Sequence, residues 1–360
     1  MRSAYILQLA SVGVLGGLAT RMRIFMIKMI TKNFSQQEWQ EIVSQFEDLS
    51  MIQLWEYGET KTRLQGWRAV RQVFYCDNII VGAVQVMIKM IPGFNKGVVW
   101  MNRGPLWKKK GETPNLERLQ EILNQLVGYW AKKEKMYLRI APTLEDNVES
   151  QSLLLKQGLT ARLDTQWISI RVDLAQSPET LRSNLEKKWR NCLARAEKLG
   201  VSFEIGNGED FLKEFTADYT SFLKEKKFST PITPEFVVMF QQLLPAGRKM
   251  WVLTACLNEV KLGSILIAIY GNSAEYLVGA VNEQGKQANA GQFLLWSALY
   301  AMKNKGVQWF DLGGADPQKT PKGIMHFKQG LNGKPYQLVG EYDLAQGWIA
   351  RLIKIIISPR

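Results

Sequence analysis

Two runs of alternating and near-continuous apolar residues, each interrupted by a two-residue polar turn, set the pattern of this chain. Arg68–Cys76 and Ile79–Ile91 flank Asp77-Asn78, while Lys249–Leu257 and Val260–Tyr270 flank Asn258-Glu259. Each pair reads as a β-hairpin rich in branched residues. Aligned at the turns, Gly82-Ala83 falls on Gly263-Ser264, about half a chain later. A helix and a buried strand follow each hairpin: Asn115–Lys133 then Met136–Ile140, and Gly291–Lys305 then Gln308–Leu312. Two copies of strand–strand–helix–strand predict an α/β (α+β) protein of two similar domains, each a mixed sheet with flanking helices. The domains are expected at 30–172 and 173–360, after a segment 1–29 that belongs to neither.

Between the halves the periodicity predicts one long amphipathic helix. Ser177 is its N-cap, Pro178 its first residue, and Gly200 its stop. At 100° per residue Leu181, Leu185, Trp189, Cys192, Leu193, Ala196 and Leu199 share one face. Lys187, Arg190, Asn191 and Lys198 share the other, which serves as an anion site or simply as a solvated face. A second basic stretch, Lys319–Lys334, holds Lys322, His326 and Lys328, with Asp316 just before it. Its glycines allow close backbone approach to a ligand, and a surface loop is the competing reading.

The ends carry weaker signals. Ala4–Thr20 is uncharged but only mildly apolar, and shorter than the roughly 20 residues of a spanning helix. It reads as an upstream extension before Met22, Met26 and Met29, with a poor signal peptide as the other reading. Trp348–Ile357 is apolar with two cations; it fits interfacial membrane contact or a last element closing the second domain.

Composition narrows the chemistry. The 360 residues carry 46 Lys and Arg against 33 Asp and Glu, a formal charge of +13. An excess of this size argues for an anionic partner such as nucleic acid, a phosphorylated molecule or a membrane surface. Cys76, Cys192 and Cys256 have no paired spacing, which excludes a disulfide scaffold and a Cys-rich zinc site. One histidine, His326, excludes a metal centre built on several imidazoles. The chemistry therefore runs on Lys, Arg, carboxylates, hydroxyls and backbone.

Several segments, in order, resemble the Fem (FemABX) peptidyltransferase family. They are QLWEYGETKTRLQGW (53–67), NRGPLW (102–107), YLRIAP (137–142), KKWRNCLARAEKLGV (187–201), YLVGA (276–280), WFDLGG (309–314), GIMHFKQGLNG (323–333) and VGEYDL (339–344). The resemblance covers about Gln53 to Asp343 and implies two GNAT-like (N-acetyltransferase-like) domains in tandem. It also implies a cytoplasmic aminoacyltransferase, free or peripheral at the inner face of the membrane, that uses no bound cofactor or metal. The donor would be aminoacyl-tRNA. The acceptor would be the stem peptide of a peptidoglycan precursor, either UDP-MurNAc-pentapeptide or lipid II.

Functional residues follow from the matched motifs. Lys61 and Arg190 match substrate-binding cations, suited to a phosphate of the precursor. Phe327-Lys328 match a Phe-Lys pair whose ammonium stands beside the reacting ester; Lys328 is the expected oxyanion donor and Phe327 the pocket wall. Arg103 and Tyr276, inside two of the motifs, and Asp316 complete the expected substrate-binding set. Proton removal would go through the substrate, water, or a carboxylate such as Asp316 or Asp311, which stands before Gly313-Gly314; a strand-end Asp capping the next turn explains Asp311 equally well. No nucleophile-elbow motif accompanies His326, which is read as structural or ligand-orienting. The chain departs from the family at Ala141-Pro142, where the family has Asp-Pro. The segment Phe203–Pro245 leaves little room for a long coiled-coil arm. The other reading is an acyl-CoA-dependent N-acyltransferase of the same fold, although Glu283–Trp296 lacks the usual pyrophosphate-binding glycine spacing.

Overall fold

The computed structural model describes residues 27–227 and 230–357; the stretch Ala4–Thr20 lies outside them. In the first half the chain runs β1 (Ile27–Thr31), α1 (Gln36–Val43), α2 (Trp55–Gln65), β2 (Arg68–Cys76), β3 (Ile79–Met90), β4 (Gly97–Asn102), α3 (Leu116–Val127), β5 (Tyr137–Ala141), α4 (Val148–Lys156), β6 (Thr160–Ala161) and β7 (Trp167–Asp173). The second half is α5 (Pro178–Asn184), α6 (Lys187–Lys198), β8 (Ser202–Gly206), α7 (Glu209–Lys226), α8 (Pro234–Leu243), β9 (Trp251–Leu257), β10 (Val260–Tyr270), β11 (Ser273–Val281), α9 (Glu283–Gln287) and α10 (Ala290–Asn304). It ends with β12 (Trp309–Gly314), α11 (Lys322–Gln329), β13 (Lys334–Leu338), β14 (Tyr342–Ala345) and α12 (Trp348–Ile357).

The two hairpins match down to their irregularities. Both residues of each turn, Asp77-Asn78 and Asn258-Glu259, have positive φ, as the tight hairpin turn requires. In the first hairpin Phe74 pairs with Gly82 and Tyr75 with Ile80, so Val81 is left over. In the second Ala255 pairs with Gly263 and Cys256 with Lys261, leaving Leu262. The same bulge thus falls at the same distance from the turn, where it bends the strand.

Two seven-stranded mixed sheets result, ordered β1-β2-β3-β4-β5-β14-β6 and β13-β7-β12-β11-β10-β9-β8. Each is the image of the other, and each half lends one strand to its neighbour: β7 inserts into the second sheet and β14 into the first. The expected boundary at 172/173 is therefore wrong in detail. Strand 167–173 belongs to the second sheet, and the chain returns to the first at 342. Strand β1 also begins inside the segment 1–29 that was set apart. Where the crossing segments touch, Glu341 N–H donates to Thr165 Oγ1 (2.9 Å) and Arg162 N–H to the Glu341 carbonyl (2.9 Å). A Cβ on Gly340, which has φ +78°, would meet the Thr165 carbonyl at 2.9 Å; only glycine fits this crossing.

Both faces of each sheet are covered. Leu119, Ile122, Leu123 and Leu126 of α3 pack on Val84, Val86 and Ile88 of the first sheet. Leu294, Leu295 and Ala298 of α10, with Trp189 and Leu193 of α6, pack on the second. A third core, with Trp39, Phe46, Val73 and Ala83 from one half and Phe215, Phe240, Leu266 and Ala268 from the other, joins the domains. At its edge Arg248 pairs with the buried Glu56 at 2.7 Å.

Three elements differ from expectation. The helix 177–199 is broken in two: Leu185 turns into the core and Glu186 N–H donates to the Gly330 carbonyl (2.9 Å), so Leu185 and Glu186 leave the helical conformation. The Ser177 cap and Pro178 stand as read, but Leu199 is exposed. Half of the glycine-containing stretch 319–334 is the helix α11. Finally, 348–357 is a helix that closes the first domain, not the second, with Ala350 and Ile353 packed on Val98 and Tyr137.

Candidate active site between the sheets

The parallel strand pair behaves differently in the two domains. Strands β4 and β5 pair from Val98–Tyr137 through Asn102–Ala141, whereas β11 and β12 pair only from Ser273–Trp309 to Glu275–Asp311. Beyond that last rung come Gly313-Gly314, where the register of β12 against β7 also shifts. Lys328 of α11 sits at this break. Its Nζ donates to the Gly314 carbonyl at 2.7 Å and lies 6.0 Å from the Tyr276 ring centroid.

Glu275 and Asp311, opposite each other in the ladder, project from the same face. Asp311 is heavily bonded. Its Oδ1 accepts from Ser169 Oγ (2.6 Å) and Gly313 N–H (2.8 Å), and its Oδ2 from Tyr336 Oη (2.5 Å). Glu275 accepts from Tyr270 Oη at 2.8 Å. Burial and then the negative charge of Asp311 raise the Glu275 carboxyl to about 7, against the pull of Arg103 and Lys328. Burial lowers the Lys328 ammonium to about 8, although Asp311 and Glu275 favour its charged form. Burial, with a smaller contribution from Tyr219, pushes the neighbouring Tyr276 phenol up to about 12. A carboxylate near 7 and an ammonium near 8 can each exchange a proton in the neutral range, as acid–base catalysis requires.

Arg103 brings the first domain to this cluster. It follows the end of β4 with φ +56°, its N–H donating to the Ala141 carbonyl at 2.8 Å. Its guanidinium stacks over Trp167 of β7 at 4.8 Å, and Trp167 also lines Gly314. The buried Gln53 amide fixes the approach, donating to the Asn102 carbonyl (2.7 Å) and accepting from Gln85 N–H (2.7 Å). A Cβ on Gly104 would stand 2.9 Å from Gln53 Nε2, which accounts for the Arg-Gly-Pro turn.

Lys61 lies in a separate cavity of about 90 Å³ lined by Ile52, Tyr57, Trp67, Met87, Trp100 and Asn102. Half-burial lowers its ammonium, which donates to Gln65 Oε1. Asn102 at the rim is followed directly by Arg103, so the end of β4 joins this cavity to the buried cluster.

Of the expected site residues, the structure brings Arg103, Tyr276, Asp311 and Lys328 together. Arg190 is exposed on α6, and Asp316 closes the turn before α11, accepting from Gln318 N–H (2.8 Å) and pairing with Lys319 (3.4 Å). Phe327 points to the other side of α11, against Gly291 and 6.5 Å from the Trp189 ring, so it braces the helix instead of walling the site. Asp311 caps the Gly313 turn, the structural reading of that residue. Glu275 escaped the sequence reading, although an acid inside the apolar strand 273–281 was the available signal. No group of three or more His, Cys, Asp or Glu among the described residues is placed to hold a metal ion.

Residues 181–329 match the model of the acetyltransferase (GNAT) domain. The chain is 26% identical to a lipid II:glycine glycyltransferase of Staphylococcus saprophyticus over 195 residues, 51% of this chain and 45% of that protein, so it spans under half of that relative. The FemX crystal structure superposes with a TM-score of 0.76 at 17% identity, covering 91% of this chain and 99% of FemX. A protein of unknown function from Bacteroides thetaiotaomicron follows at 0.57 and 9% identity, covering 88% and 99%. With two corresponding mixed sheets, the second matched by the GNAT-domain model over residues 181–329, the chain has a tandem GNAT-like fold of the kind seen in FemX.

Proposed function

We propose that this protein is an aminoacyltransferase of the cytoplasm that moves an amino acid from aminoacyl-tRNA to the stem-peptide amine of a peptidoglycan precursor. The observation that supports the reading is the placement of Lys328 at the break in the parallel ladder, its Nζ on the Gly314 carbonyl just beyond the Glu275–Asp311 rung. The relative from Staphylococcus saprophyticus supplies the substrate class.

The chemistry asks little more. The acceptor amine attacks the ester carbonyl, a C–N bond forms, and the bond to the ribose oxygen breaks. Glu275, poised near neutrality, takes the amine proton; the leaving ribose oxygen is then protonated. Lys328 keeps two N–H donors beyond the one spent on Gly314 and offers one to the developing oxyanion, a contribution of about 3 kcal/mol. Alignment of the two substrates between the domains supplies several kcal/mol more. Lys61, with Trp67 and Trp100, holds the anionic part of the precursor.

One observation favours a second reading. The GNAT match extends through α10, whose N-terminus has no side-chain cap and leaves N–H groups for a pyrophosphate. A donor competition separates the two. The purified full chain is given labelled aminoacyl-tRNAs and labelled acetyl-CoA with peptidoglycan precursors as acceptor. Label arriving from tRNA is the expected result, and label arriving only from acetyl-CoA would replace it with the acyl-CoA reading.

A further inference from the structure

Helix α12 is amphipathic in an unusual way. Ala350 and Ile353 are buried against the first sheet, yet the side facing away from the protein is also apolar. Trp348 is 70% exposed, Ile355 72% and Ile356 66%, and Leu352 is exposed beside them. The only polar residues of the helix are Arg351 and Lys354, both cationic, and Lys354 is spent on the buried Asp343 at 2.6 Å. A surface helix normally turns polar residues outward, and a contiguous apolar patch with a polar rim marks an interaction site.

The rim identifies the partner. The loop after β3 packs Ile91 into the core beneath α12 and leaves Met90 and Phe94 exposed. Beside it stand Lys96, whose Nζ donates to the Glu134 carbonyl (2.7 Å), and the exposed Lys135. Lys135 reaches to about the start of α12, its Cδ lying 4.0 Å from a Cβ placed on Gly347. An outward face of Trp and Ile with Arg351, Lys96 and Lys135 beside it, on a helix without any acid, has the chemistry of an interfacial helix on an anionic bilayer. A protein partner would find few hydrogen-bonding groups on it. No helix among the described residues is long and apolar enough to cross a membrane, so this contact would lie in the interface.

We infer that α12, with the Phe94 loop, docks the protein on an anionic lipid surface. The position of α12 gives the contact a purpose. Val98, Trp100 and Asn102 alternate along β4 and share one face. Val98 lies under α12, while Trp100 and Asn102 line the Lys61 cavity. Docking therefore holds that cavity beside the headgroups, which favours a lipid-linked over a soluble precursor; this last step rests on the proposed function, while the docking itself does not.

The test is co-sedimentation of the full chain with phosphatidylglycerol–phosphatidylcholine vesicles and with pure phosphatidylcholine vesicles, at low and high salt. Trp348→Gln/Ile355→Gln/Ile356→Gln changes only exposed residues, and its thermal transition is recorded alongside. The expected result is salt-sensitive binding to the anionic vesicles that weakens about tenfold or more in the triple variant. Transfer to a soluble precursor analogue should be unchanged in that variant, which separates a failure of docking from a failure of the proposed chemistry. Binding by neither protein, or equal binding by both, would overturn the inference. So would a dimer that the triple variant abolishes without any vesicle binding, because a second copy would then cover the face.

Discussion

Glu275 and Asp311 face each other across the last rung of the parallel ladder between β11 and β12, yet only Asp311 is fixed by three hydrogen bonds. That inequality assigns their parts. The well-bonded carboxylate organises Gly313, Tyr336 and Ser169, while burial and the neighbouring Asp311 raise the proton affinity of the less-bonded Glu275.

The pH dependence follows from this division. Transfer needs Glu275 ionised and Lys328 protonated, so the rate should rise through about 7 and fall through about 8. Glu275→Gln should slow transfer about 10²-fold or more and remove the acid limb. Rate–pH profiles of the two proteins check it; an unchanged acid limb in Glu275→Gln would assign the proton to another group.

The same carboxyl affects stability. Its folded pKa is raised from 4.5 to about 7, so the folded state binds the extra proton between those values. Stability is therefore highest on the acid side of this window and falls as pH rises through it. The loss is on the order of 3 kcal/mol for a shift of this size. Denaturant titrations at pH 5 and 8 should show a smaller difference in Glu275→Gln than in the parent.

Lys61→Ala should weaken precursor binding and leave the chemical step nearly untouched, because its cavity is separate from the Lys328 cluster. A KM for the precursor raised about tenfold with kcat within about twofold is the expected outcome. Steady-state kinetics in the precursor concentration measures both.

The exchange of β7 and β14 makes a demand at Gly340. Gly340→Ala adds a Cβ at φ +78° that meets Thr165 and Gln166 backbone atoms at 2.8–2.9 Å. It should destabilise the protein by about 2–4 kcal/mol, read from the midpoint of denaturant unfolding.

Much of this architecture was legible from the residues. The hairpin turns, the Gly82–Gly263 equivalence and the Ser177 cap are local signals, and each reappears in place. Strand exchange was not legible: β7 and β14 have the same pattern whichever sheet they join, and only tertiary packing decides. The break at Leu185 was hidden because Leu181, Leu185 and Trp189 keep helical spacing through it. Of the candidate site residues, Lys328, Asp311, Tyr276 and Arg103 carry motifs that the fold brings together. Arg190 and Phe327 show the limit of that route, since a matched motif fixes the helix without fixing which way a side chain faces. Glu275 was overlooked because its role depends on Asp311, 36 positions later and adjacent only in the sheet.

The most direct test of the transfer site is single-turnover transfer of a labelled amino acid from charged tRNA to the precursor, by the full chain and by Lys328→Ala. The account predicts rapid transfer by the parent and a rate lowered about 10²- to 10³-fold in the variant, with precursor affinity retained. Equal rates in the two proteins would contradict it, and would remove the cluster at the end of the ladder from the chemistry.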